Sequence, residues 1–174
     1  MTHKWIKRLV GMFVVAVSFG LTTHAWAEEP KILGSYKAWD AYKLTRDGNT
    51  ICYVVSQPTD SQPKNVKRGD IFFIVSNWAN LNIKGQPSVV TGYTYRDGST
   101  TTAKIGSEKF NFFTQGDGAW MRETATEKKI LGAMKRGTSM IVTGTSTRGT
   151  LTTDRYSLAG VSAALDKINQ VCGS

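Results

Sequence analysis

The sequence predicts an all-β protein, a two-layer β-sandwich or a small barrel, with a short helix near residues 126–136 and a C-terminal α-helix over residues 158–172. Three observations lead there. Short runs rich in β-branched and aromatic residues follow one another, seven to nine of them, with turn signals roughly 8–12 residues apart, the spacing of sandwiches and barrels. Helical periodicity is confined to the two windows named. Ahead of all this, residues 1–27 read as a cleavable export signal, which leaves 147 residues, 28–174, as one domain long enough to close a hydrophobic core.

Taken in order, Trp39–Thr45 and Ile51–Ser56 are two strand-like runs joined through Asp47-Gly48, a pair that tolerates the positive φ of a tight hairpin turn. The Pro/Ser/Asn-rich stretch Gln57–Asn65 reads as a loop. Ile71–Val75, Ile-Phe-Phe-Ile-Val, is a continuous apolar run and predicts a central strand buried on both faces. Ser88–Tyr95 alternates and ends at a second Asp-Gly turn, Asp97-Gly98. Thr101–Ile105 and Lys109–Phe113 form a hairpin over Gly106-Ser107, with a further strand over Ala119–Arg122.

Residues 126–136 break this rhythm. Thr126 suits the N-cap, Glu127 the first turn and Gly137 the C′ position; Ile130, Leu131 and Met134 make an apolar stripe. Lys135 and Arg136 complement the helix dipole. Thr138–Thr145 and Leu151–Tyr156 then read as a hairpin turning at Arg148-Gly149. In the last helix Ser157 is the expected cap, and Leu158, Val161, Leu165, Ile168 and Cys172 fall on one face at 3-4-3-4 spacing.

The N-terminus has the three parts of a secretory signal. Lys4, Lys7 and Arg8 form a positive start, Leu9–Leu21 is uncharged and mostly apolar, and Ala25-Trp26-Ala27 supplies the small-x-small pattern for cleavage after Ala27. The apolar run of 13 residues is shorter than the roughly 17–25 needed to span a bilayer. No transmembrane segment is expected in the mature chain. Cleavage removes three cations, so 19 Lys+Arg against 13 Asp+Glu leave +6 in place of +9. That excess suits attraction to anionic envelope surfaces rather than nucleic acid. The location expected is the periplasm or the cell surface of a Gram-negative bacterium.

Cys52 and Cys172 are the only cysteines. An even count in an oxidising compartment predicts one disulfide tying the first hairpin to the end of the last helix. The competing reading is two free thiols, one of them nucleophilic; neither lies in a Cys-x-x-Cys pair.

Both histidines, His3 and His24, leave with the signal. A histidine-free domain has no Ser-His-Asp triad, no Cys-His pair and no imidazole ligand for zinc. Phosphate-cradling glycine motifs are missing from the sequence. Asp47-Gly48-Asn49 and Asp97-Gly98-Ser99 lack the alternating acids and distal Glu of a calcium loop and read as turns. No metal or cofactor is expected. Carboxylate-pair catalysis is the chemistry left open, with Glu108, Glu123 and Asp154 near strand ends where such pairs sit. Arg68-Gly69-Asp70 invites an integrin reading, but Gly69-Asp70 reads as the turn feeding the strand at Ile71. Trp78, placed in the stretch Ser76–Asn80, reads either as core or as an exposed binding anchor on which a sugar stacks.

These residues carry a resemblance. Cys52-Tyr53-Val54-Val55-Ser56-Gln57-Pro58, Lys67-Arg68-Gly69-Asp70-Ile71-Phe72-Phe73 and Gly118-Ala119-Trp120 occur in order. They are followed by Met134–Gly137, Gly144-Thr145-Ser146, Arg148-Gly149-Thr150, Tyr156-Ser157-Leu158 and Cys172. From about Trp39 to Cys172 the chain resembles the invasion-associated locus B (IalB) family of α-proteobacterial envelope proteins. Arg155 departs from the small polar residue expected between Asp154 and Tyr156. The resemblance implies an exported protein, some of whose relatives are tied to host-cell invasion while others belong to free-living bacteria, and it brings no catalytic residues. The function expected is a non-enzymatic binding or structural module whose partner is an envelope or host-surface component. The alternative is a histidine-free envelope glycan hydrolase using paired carboxylates.

Overall fold

Alternation of apolar and polar residues, punctuated by turns, builds eleven strands and two helices in a computed structural model that describes residues 29–173. The expected export signal and its cleavage after Ala27 lie outside the described residues. The elements are β1 (Lys31–Tyr36), β2 (Trp39–Arg46), β3 (Asn49–Ser56), β4 (Asp60–Gln62), β5 (Phe72–Trp78), β6 (Ile83–Val90), β7 (Thr100–Ile105), β8 (Glu108–Gln115), β9 (Gly118–Trp120), α1 (Thr124–Arg136), β10 (Ser139–Thr145), β11 (Leu151–Ser157) and α2 (Val161–Cys172). A single 3-10 turn, Ala79–Leu81, follows β5.

All strands belong to one antiparallel sheet in the order β1-β2-β3-β5-β6-β9-β8-β7-β10-β11-β4. The all-β expectation holds, and the two layers are the two halves of that one sheet. Phe73 of β5 meets Phe112 of β8 at 6.1 Å and Tyr156 of β11 at 6.0 Å between ring centroids. Six strand steps separate β5 from β11, about 29 Å in a flat sheet at the usual inter-strand spacing. The sheet therefore curls until its halves pack face to face. It is not a closed barrel, because β1 pairs only with β2 and β4 only with β11.

The core lies inside the curl. Trp39, Val54, Phe73, Val75, Phe112, Met140, Val142 and Tyr156 are fully or almost fully buried there with Ile130 and Met134 of α1 and Ile168 of α2. Both helices pack on this inner side. Trp39 Nε1 donates to the Ser157 carbonyl at 3.0 Å, joining the start of β2 to the end of β11.

Several boundaries differ from those predicted. The Asp47-Gly48 hairpin forms as expected, with φ of 50° and 76° and Arg46 opposite Asn49. The second run is shifted: β6 covers Ile83–Val90 rather than Ser88–Tyr95, and Tyr95 makes an isolated bridge to Ser146. Lys84-Gly85-Gln86-Pro87 reads as a strand breaker, yet this part of β6 pairs with β5 alone, since β9 reaches only Ser88–Val90. Helix α1 begins at Thr124, so Glu123 rather than Thr126 is its N-cap residue. Helix α2 begins at Val161 rather than 158, and Gly160 rather than Ser157 holds the N-cap position. The cause is local: Gly160 has φ of 91°, and a Cβ there would lie 2.0 Å from the Tyr36 carbonyl oxygen. The chain turns sharply against the β1–β2 connection before the helix starts. Ser157 keeps part of its expected role, its Oγ accepting from the Ala159 N–H at 3.2 Å.

Candidate binding face

Cys52 projects inward from β3, and Cys172 ends α2 on the face predicted to meet the core. The two form a disulfide across 120 residues with Cα atoms 5.9 Å apart, and no cysteine is free among the described residues. The free-thiol reading is thereby overturned.

The three carboxylates singled out from the sequence sit in separate settings. Glu108 is half exposed and pairs with Arg136, Glu123 is exposed at the start of α1, and Asp154 is buried in the middle of β11. Each Asp154 oxygen accepts a hydrogen bond from one Arg68 terminal nitrogen, both at 2.7 Å. A carboxylate held at both oxygens by a guanidinium is a poor base and a poor nucleophile. The same pairing withdraws Arg68 from any Arg-Gly-Asp recognition, even though Asp70 is exposed.

Around this ion pair lies a polar cluster that the sequence did not reveal. Arg68 Nε donates to the Thr91 carbonyl at 3.0 Å, and its guanidinium sits 5.0 Å from the Tyr93 ring centroid. The Tyr93 hydroxyl is 2.7 Å from that of Thr152, and the Tyr95 ring meets Tyr93 edge-on. Burial pushes the Tyr95 phenol up to about 12, and burial followed by the Asp154 charge raises Tyr156 further. These phenols stay neutral at physiological pH. The cluster clamps the loop before β5 onto β11 and so joins the two halves of the sheet.

The outer surface of the sheet is different in character. In β5, Phe73 and Val75 point inward and are fully buried, while Phe72 and Ile74 point outward and remain partly exposed. Strand register extends the outward positions into apolar rows. Val55, Ile74, Ser88, Trp120 and Phe113 are successive cross-strand neighbours, and Phe72 lies opposite Val90. Tyr42 and Tyr53 stack at 5.3 Å with ring planes 17° apart. Trp78, the last residue of β5 rather than part of a loop, lies between Ile51 and Ile83, with its Nε1 donating to Ser76 Oγ at 3.2 Å. Solvated faces of antiparallel sheets are ordinarily polar, and a large contiguous apolar patch on a folded domain is a common feature of interaction sites. Among the described residues no helix or strand covers this face, since α1 and α2 occupy the inner side.

Beyond Phe113 the outer surface turns polar and basic. An open groove of about 570 Å³ runs between β8 and the start of α1, lined by Lys109, Asn111, Phe113, Thr114, Arg122 and Glu123 among others. Arg122 lies over the Phe113 ring at 4.4 Å, and Trp120 touches the same ring, centroid to centroid 6.0 Å. Lys104 stands directly opposite Lys109. The tight turn at Gly106-Ser107 fixes that pairing, so this signal was present in the sequence. Neither lysine is in an ion pair among the described residues. No group of three or more His, Cys, Asp or Glu side chains suited to a metal occurs among the described residues.

Comparison with known proteins bears on both fold and family. The family model described as Invasion associated locus B (IalB) protein matches residues 39–169. The crystal structure of invasion associated protein b from Bartonella henselae superposes with a TM-score of 0.55 at 13% identity, over 79% of this chain and 95% of that one. At that identity the likeness shows the fold. None of the curated proteins matches the chain.

Proposed function

Because the chain belongs to the invasion associated locus B family, we propose that it is an exported, non-catalytic binding module of the bacterial envelope that works through the outer face of its sheet. The observation that carries this reading is β5. Its sequence has the composition of a strand covered on both sides, yet only its inner side is covered by this chain. The outward Phe72 and Ile74, with Val55, Trp120 and Phe113 beside them, are the surface a partner would bury. Trp78 extends that surface and is the anchor at its margin.

The family, the disulfide and the reading of residues 1–27 as an export signal together support a place outside the cytoplasm, in the periplasm or at the cell surface. No helix among the described residues is long and apolar enough to cross a membrane. The relative from Bartonella henselae is described as invasion associated, and a host-surface component is among the partners this face would serve. The setting of Asp154, Glu108 and Glu123 gives no support to a paired-carboxylate hydrolase.

The test is a photo-crosslinking amino acid at Ile74 in cells exporting the full chain, with the exposed loop residue Arg148 as control. A defined adduct from position 74 that is missing at 148 is the expected result. Equal labelling at both positions, or none at either, rejects the outer face as a binding surface.

A further inference from the structure

We propose that the polar part of the outer face, over β7, β8 and β10, binds acidic oligosaccharides. Lys104, Lys109 and Arg122 take the anionic groups, and the Trp120 indole packs against a sugar ring. This deepens the reading of the outer face as a binding surface and rests on it.

The charge arrangement points to an absent counter-charge. Like charges directly opposite in a ladder destabilise the pair, yet Lys104 faces Lys109 and both side chains are exposed. Arg122 adds a third cation, and its packing over Phe113 at 4.4 Å pre-orients the guanidinium. Lys109 and Arg122 line the same groove, whose lining also includes the exposed carboxylate of Glu123. The nearby Glu108 is engaged by Arg136. A second hollow of about 450 Å³ shares Lys109 and Asn111 with the first and adds Lys104, Thr102 and Thr143. The two form one track across the strands.

The neutral groups along that track select the ligand class. Threonine hydroxyls and the Asn111 amide offer both donors and acceptors, the complement of sugar hydroxyls. The aromatic element folds back along its own strand: a Cβ at position 118 would lie 2.3 Å from Trp120 Cη2, so the indole occupies the space above Gly118. An apolar ring face beside cations and hydroxyls suits a sugar, whose ring has an apolar face and a polar rim. A lipid surface would call for exposed aliphatic side chains to insert, and the large exposed ones, Ile32, Leu81 and Leu151, are not among the groove or hollow residues.

Acidic sugars reach an exported protein from two sources: sulfated or carboxylated host glycans, and the phosphorylated core of lipopolysaccharide. The experiment is titration of the protein, purified from cells expressing the full chain, with a heparin-derived oligosaccharide, an oligogalacturonate and a delipidated lipopolysaccharide core oligosaccharide. A maltooligosaccharide of matched length and a single-stranded oligonucleotide serve as competitors of other chemistry. Binding is read by calorimetry and by amide shifts over residues 100–114. The expected result is saturable binding of at least one acidic sugar, with the arm that binds identifying the source, weakened by salt as a screened charge contact must be. With each exposed charge contact contributing about half a kcal/mol, the triple variant K104A/K109A/R122A should bind about tenfold more weakly. K104R/K109R should retain binding, which separates lost charge from lost folding. Equal affinity for the neutral sugar, or a preference for the oligonucleotide, overturns the proposal. If no acidic sugar binds while Ile74 still cross-links, the ligand class is wrong and the binding face stands; if both fail, both readings fall.

Discussion

Removing one side of the Arg68–Asp154 pair should reveal how much the clamp contributes. The pair is bidentate, with two N–H···O contacts of 2.7 Å and side chains only 7% and 1% exposed. Charge-assisted hydrogen bonds contribute about 1.5–3 kcal/mol each, which puts R68M near the 3–5 kcal/mol expected when a buried pair loses one partner. R68M leaves the Asp154 carboxylate buried without a counter-ion, and D154L leaves the Arg68 guanidinium in the same position. The double variant R68M/D154L should recover most of the loss, since a buried ion pair and an apolar pair of similar volume are close in stability. Urea unfolding followed by far-UV circular dichroism measures all four corners of the cycle. An R68M loss below about 1 kcal/mol, or a double variant as unstable as the two singles summed, would refute the clamp.

Three further outcomes follow from local geometry. Reducing the Cys52–Cys172 bridge, or replacing both cysteines with alanine, should cost up to about 5 kcal/mol on the loop-closure argument for a 120-residue separation, read as a lower urea midpoint; an unchanged midpoint would contradict it. G160A should cost at least about 2 kcal/mol, because a left-handed φ is combined with a clash against the Tyr36 carbonyl. G48A, in open space, should cost only about 1 kcal/mol, and equal losses would discredit the close-approach argument. Burial raises the Glu127 carboxyl above its ordinary range, so its contribution to stability is full below the unfolded pKa and fades as pH rises through the folded value. Carbon-detected NMR titration should show Glu127 titrating above a glutamate free in solution, and E127Q should remove that part of the pH dependence.

Much of the fold was legible because its strands have strong local signals. The Asp47-Gly48 and Gly106-Ser107 turns fixed two hairpins, and the apolar run at Ile71 located β5. Strands β1 and β4 were not legible, and they are the two edges of the sheet. Lys31, Ile32 and Ser35 of β1 are exposed, and three-residue β4 sits within a Pro/Ser/Asn-rich stretch, so neither carries the alternation of a half-buried strand. The start of α2 was misplaced because Leu158 keeps the helical spacing while the close approach of Gly160 to Tyr36, a tertiary constraint, delays the helix. The Arg68–Asp154 pair joins residues 86 apart and had no local signature.

What the sequence and the fold disagree about is more informative than where they agree. A sequence specifies a fold best when each local choice is consistent with the whole, and natural proteins depart from that consistency mainly at functional sites. On the inner side of this sheet most choices agree: apolar side chains are buried, the cysteines are joined, and Asp154 meets Arg68, while the buried hydroxyls of Tyr95, Thr101 and Tyr156 lack a hydrogen-bond partner. The departures in hydropathy and charge gather on the outer side. Strand β5 is apolar on a face this chain leaves uncovered, and Lys104 faces Lys109 without a counter-ion among the described residues. Folding alone explains neither, since a polar residue at Ile74 or an acid at Lys109 would suit the isolated domain as well or better. Both are accounted for if this surface is completed by something else, apolar contact over β3–β5–β6 and negative charge over β7–β8. The outer face is therefore where variants should change binding without changing stability, and the inner clamp is where they should do the reverse.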